Sequence, residues 1–66
     1  EVLAERISLA EILKRLNESD RQLIRLRFYA GKTQSKTAQI LGTTQVQISR
    51  RERKILKWMR KELTSE

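Results

Sequence analysis

Apolar residues recur along the chain at helical spacing, and no stretch alternates as a strand would. Leu3, Ile7, Ala10, Leu13 and Leu16 form a first stripe with charges between them, predicting a helix over 3–16. Asn17 follows as an N-cap, with Glu18 and Asp20 in the first turn, where carboxylates favour the helix dipole. The second helix carries Leu23, Ile24, Arg27 and Phe28 and should stop at Gly31, the usual residue for a left-handed terminus. Thr33 caps a short third helix over 34–41, Gly42 breaks it, and Thr44 caps a long fourth helix from 45 to about 63. With no proline anywhere and only short connections, the pattern predicts an all-α, compact four-helix domain.

The last two helices divide by face. Ile48, Ile55 and Met59 are spaced to point inward, with Leu56 and Leu63 beside them, while Gln45, Val46, Ser49, Arg50 and Arg53 fall on the opposite side. Two helices joined by a tight glycine turn form a helix-turn-helix when the second can enter a DNA major groove. Such a unit needs a small residue where its helices cross, a residue that accepts positive φ in the turn, and an apolar anchor. Ala38, Gly42 and Ile48 supply these. The outward set suits groove reading, since Gln pairs with adenine, Arg with guanine, and Val46 can meet a thymine methyl. Thr33, Lys36 and Lys54 would flank the DNA backbone, Gln47 points sideways as a flank contact, and Thr44 can meet a phosphate while it caps. Trp58 reads as a packing residue, since three aromatics make no ladder for unpaired bases.

Charge strengthens this picture. The 66 residues hold fifteen Lys and Arg against eight Asp and Glu, a net charge of +7. Residues 1–20 are net acidic at −2, whereas residues 21–66 carry +9, and seven basic residues lie between Arg50 and Lys61 with Glu52 the lone acid. A basic half so concentrated suits a polyanion, most often nucleic acid, although a solvated helix face has the same composition. The chain has no cysteine and no histidine, so disulfides and the usual zinc ligand sets are absent. No cofactor is expected. Catalysis has little to stand on without those side chains, a phosphate-cradling glycine loop or a separated carboxylate pair. A domain of this size buries only about 60% of its unfolded surface, so it rests on one modest core. No run approaches a membrane span. The start on Glu1 reads as a piece of a longer protein.

The run LNESDRQLIRLRFYAGKTQSKTAQILGTTQVQISRRERKIL, residues 16–56, resembles the C-terminal promoter-recognition domain, region 4, of bacterial RNA polymerase sigma factors. Leu16, Arg21 and Leu26-Arg27-Phe28 carry one part of the likeness. The TQ-x-x-x-A-x-x-LG and QVQ-S-R elements look most similar to the sporulation and general-stress branch. The resemblance implies a linker helix over 1–16 and a region 4 domain over 17–66, its helix-turn-helix spanning about 33–56. It implies a cytoplasmic protein that docks its second helix-turn-helix helix into the promoter's minus-35 element and directs RNA polymerase to initiation. Gln45, Val46 and Arg50 become base readers. Thr33, Ser49, Arg53 and Lys54 become backbone contacts, joined by Lys36, Thr44 and Gln47 from the reading above. Double-stranded promoter DNA, the β flap of the polymerase core and an anti-sigma protein are the implied partners. Leu26, Phe28, Ile55 and Met59 are candidates for the flap, with ordinary core as their alternative. A single helix-turn-helix of this kind needs no dimer.

Other readings stay open at this point. The domain could be a protein-interaction module, binding the flap or an anti-sigma factor with little DNA affinity alone. Response-regulator output domains also end in a four-helix unit of this type, but the LRF and QVQ-S-R elements argue against one. The chain also departs from the family at Thr37, Thr43 and Arg51, where aliphatic residues are usual. Each change should cost on the order of a kcal/mol in lost apolar burial. The Arg51 stem could lie along the surface with its head in water, or this face could be completed by a partner or the first helix. Glu52 is expected to pair with Arg27 and to orient the fourth helix.

Overall fold

A computed structural model describes residues 8–64, which fold into four α-helices. Helix α1 spans Leu9–Arg15 and opens at Ser8, whose hydroxyl accepts from the Glu11 N–H at 3.2 Å. Ser8 and Glu11 stand in capping-box spacing, a start signal that the apolar stripe overrides when the sequence is read alone. The part of that stripe over 3–7 lies outside the described residues. Within α1 the expected face is also displaced: Ile12 is fully buried, Leu16 is buried, Leu13 is half-buried and Ala10 is exposed. Ala10 sits about 200° round the helix from Ile12, and the face that packs is the one that larger side chains can fill.

Helix α2, Glu18–Ile24, begins as the sequence predicts, with Asn17 Oδ1 accepting from the Asp20 N–H at 2.8 Å. Leu23 and Ile24 enter the core. The helix does not run uninterrupted to Gly31. Arg25–Tyr29 form a π turn, closed by a hydrogen bond from Ala30 N–H to the Arg25 carbonyl at 2.8 Å. Residues of ordinary helix propensity make up RLRFY, so nothing local marks the wider turn. Phe28, for which ordinary core is the alternative to a flap contact, is 51% exposed. Gly31, at φ 68, ends the segment in the left-handed conformation expected of it.

Helix α3, Gln34–Leu41, is capped by Thr33, whose hydroxyl accepts from the Lys36 N–H at 3.0 Å. It ends in a Schellman arrangement: Gly42, at φ 72, and Thr43 donate to the carbonyls of Gln39 and Ala38. Helix α4, Gln45–Thr64, then starts at Thr44, whose hydroxyl accepts from the Gln47 N–H at 3.2 Å. Its buried positions are Ile48, Glu52, Ile55 and Met59, a helical spacing of four, three and four. All four helices feed one core of Ile12, Leu16, Leu23, Ile24, Ala38, Ile48, Ile55 and Met59, with Trp58 partly buried against it. Leu56 and Leu63, expected beside the inward set, are instead 38% and 45% exposed. Leu56 lies about 100° round α4 from Ile55, at the edge of the buried stripe, and Leu63 stands near the end of a helix about 30 Å long that the three shorter helices do not cover throughout. No described helix is long and apolar enough to cross a membrane.

Candidate nucleic-acid interface

The turn at Gly42 sets the angle between α3 and α4. Ala38 is buried beneath the crossing, and Ile48, fully buried one turn into α4, anchors the second helix to the first. Fixing Ile48 inward forces the side of α4 half a turn away to face solvent. Val46, Arg50 and Arg53 are all exposed there, with Val46 at 57%, whereas Gln45, about 60° round the helix from Ile48, is exposed as the first residue of α4. Ser49 is half-buried at the margin of this row.

The expected backbone contacts lie around it. Thr33 and Lys36 are exposed at the start of α3, and Thr44 and Gln47 at the start of α4. Both threonine hydroxyls already accept a capping hydrogen bond. Each keeps its own proton to donate, so capping and phosphate contact do not compete. Lys54 stands to one side, on the rim of an open groove of about 450 Å³ shared with Arg15, Asp20, Arg51 and Trp58.

Ion pairing sorts the basic residues. Four arginines are paired within the domain: Arg15 to Glu62 and Arg21 to Glu18, both at 3.2 Å, Arg27 to Glu52 at 2.7 Å, and Arg51 to Asp20 at 2.9 Å. Arg21 also donates to the carbonyls of Leu13 and Leu16, closing the turn between α1 and α2. Among the described residues Lys14, Arg25, Lys32, Lys36, Arg50, Arg53, Lys54, Lys57, Arg60 and Lys61 enter no ion pair and all are exposed, six of these ten lying on α4. Unneutralised positive charge therefore concentrates along α4 and at the head of α3, where a polyanion can displace counterions from it.

The pair expected between Glu52 and Arg27 is present. Arg27 donates through Nε to Oε1 at 2.7 Å and through Nη2 to Oε2 at 3.3 Å, a two-point contact. Its Nη1 also donates to the Lys32 carbonyl at 2.7 Å, tying the end of the π turn to α4. Two further partners were not legible in advance. Gln34 donates from Nε2 to Glu52 Oε1 at 3.2 Å, and Gln45 donates from Nε2 to Gln34 Oε1 at 3.0 Å. The TQ pair that opens α3 was visible, but not which side chains it would meet.

The departures at Thr37 and Arg51 resolve differently from each other. Thr37 is fully buried and its hydroxyl has no hydrogen-bond partner. Arg51 neither ends in water nor waits for α1. Its Nη2 donates to Ser19 Oγ at 2.6 Å and Asp20 Oδ1 at 2.9 Å, so the first turn of α2 completes this face. Thr43 is half-buried in the turn. Ile55 and Met59 are core residues, whereas Leu26 is half-buried and Phe28 faces solvent.

A glycine-turned helix pair with one helix anchored from below and offering an unpaired basic row above is a helix-turn-helix domain of the DNA-binding class. The family description "Sigma-70, region 4" matches residues 12–61, and the chain belongs to that family, a non-catalytic DNA-binding domain of transcription initiation factors. It is 44% identical to the RNA polymerase sigma-F factor of Bacillus licheniformis, over 89% of this chain and 23% of that protein. Identity is 39% to the RNA polymerase sigma-G factor of Bacillus subtilis (strain 168), again over 89% and 23%. The RNA polymerase sigma-E factor of Clostridium acetobutylicum is 40% identical over 77% of this chain and 23% of its own length. The chain thus spans about a quarter of the length of these relatives. No solved structure matches it.

Proposed function

We propose that this domain recognises the minus-35 element of promoter DNA, with α4 in the major groove, and so directs RNA polymerase to the sites where transcription begins. Gln45, Val46 and Arg50 read base edges. Thr33, Lys36, Thr44, Gln47, Ser49, Arg53 and Lys54 hold the phosphate backbone on either side. The observation that carries this reading is the exposed row on α4, with Arg50 and Arg53 left without acidic partners among the described residues while Arg27 and Arg51 behind them are paired. The names of the relatives, all RNA polymerase sigma factors, agree with it.

Binding to duplexes selected from a randomised pool tests the reading. Affinity should fall steeply with salt through counterion release. Arg50→Ala should relax base preference at one position at a cost of about 1–3 kcal/mol for the preferred base, while Lys54→Ala should weaken all duplexes alike. Equal loss on every sequence from both changes would remove Arg50 from the base readers.

A second reading, as a module that docks on the polymerase β flap or on an anti-sigma protein, draws on a different surface. Leu26, Ile40 and Leu41 line an open groove with Gln22 and Arg25, and Phe28 and Tyr29 are exposed nearby in the chain. Leu26 and Phe28 keep their candidacy for such docking. Ile55 and Met59 lose theirs to the core. The two functions use different residues and can operate together.

A further inference from the structure

The hydrogen bonds behind α4 run in one direction. Arg27 donates into Glu52, and a carboxylate paired in this way offers only acceptors. The Gln34 group 3.2 Å from Glu52 Oε1 must therefore be the amide nitrogen. That leaves the Gln34 carbonyl at the far side, where it can only accept, so the Gln45 group 3.0 Å from it is again the amide nitrogen. Each step fixes the orientation of the next amide, from the floor of the domain to the exposed start of α4.

We propose that Gln34 is a positioning residue for Gln45: acting through Gln34, Glu52 sets which way round Gln45 presents its amide, and thereby which base edge it accepts. This rests on the reading of Gln45 as a base contact. An amide held so keeps Oε1 free to accept and the second Nε2 hydrogen free to donate. Adenine offers the complement, an N6 donor beside the N7 acceptor, whereas guanine offers two acceptors, O6 and N7. With the orientation locked, guanine O6 would face Gln45 Oε1, acceptor against acceptor. A Gln45 released from Gln34 can rotate its amide and meet guanine with nitrogen. A released amide still meets one guanine acceptor with its own oxygen, so the relay sharpens a discrimination between the two purines that glutamine already has.

Gln34→Leu removes both bonds at similar size. Position 34 is half-buried at the first residue of α3, and leucine is a good helix former, so the fold should persist. In the DNA-free protein, the side-chain amide resonances of Gln45 should move to those of a solvated glutamine while backbone resonances away from the site stay in place. Unmoved Gln45 resonances would overturn the relay. On duplexes selected by the unaltered protein from a randomised pool, replacing the Gln45-dependent adenine by guanine should weaken binding by roughly tenfold. Q34L should shrink that ratio, and in a Q45A background it should change nothing further. If Q45A abolishes the adenine preference and Q34L leaves it intact, the relay is wrong and Gln45 still reads a base. If Q45A alters no base preference at all, the assignment of Gln45 as a reader fails instead.

Discussion

The outward row of α4 and its inward edge are built from the same kinds of residue but differ in what answers them. Arg50 and Arg51 are adjacent, yet Arg50 projects into solvent and Arg51 is bound to Ser19 and Asp20 on α2. Gln45 and Gln34 likewise differ: one is exposed at the start of α4, and the other is half-buried between it and Glu52. On the inward edge, Arg27, Gln34, Glu52 and Arg51 are matched donor to acceptor. The outward basic residues are matched to nothing among the described residues. The net charge of +7 therefore overstates uniformity, because part of the positive charge is architecture and part is free for a polyanion.

The contrast is most exposed to failure at its centre. Glu52→Ala should destabilise the domain by about 3 kcal/mol, because it leaves a partly buried guanidinium without its counter-charge. Arg27→Ala should cost about the same, and the double change little more than either, read from urea denaturation. Strictly additive losses would mean that the two residues do not act as a pair.

A smaller effect separates the neighbouring arginines. Arg51→Ala should cost about 1 kcal/mol, since its partners are only partly shielded from water, whereas Arg50→Ala should leave stability within about 0.5 kcal/mol. Equal thermal stabilities for the two variants would erase the distinction between the inner and outer rows. On the buried side Thr37 is the exception, a hydroxyl without a partner. Thr37→Val fills nearly the same space without it and should raise stability by about 1 kcal/mol in the same denaturation assay. A loss on that change would show that the hydroxyl is satisfied after all.

Much of the site was legible because it depends on short-range rules. Thr33, Thr44 and Asn17 cap helices through bonds that span three residues, and Gly31 and Gly42 take the left-handed conformations that end them. The inward spacing of Ile48, Ile55 and Met59 follows from helical period alone, and it places Val46 and Arg50 outside, while Gln45 is exposed as the first residue of α4. The pairing of Glu52 with Arg27 could be anticipated because one acid in a basic run invites a partner. Less was readable where several faces were eligible. The α1 stripe was assigned through Ala10, but Ile12 is the residue that the bundle buries. The π turn leaves no trace in side-chain pattern, since RLRFY suits an ordinary α-helix.

The amino-acid order by itself determined the number of helices, the turns between them and the two faces of α4, because caps, glycines and periodicity act within a few residues of one another. Packing decided the rest. Which side of α1 is buried, where Leu56 and Leu63 emerge from cover, and what Arg51 and Gln34 touch all depend on how separate helices meet. Arg51 reaches Ser19 across a separation of 32 residues and Gln34 reaches Glu52 across 18. No local pattern spans such distances, and the bonds exist only once the core has set the helices at their angles.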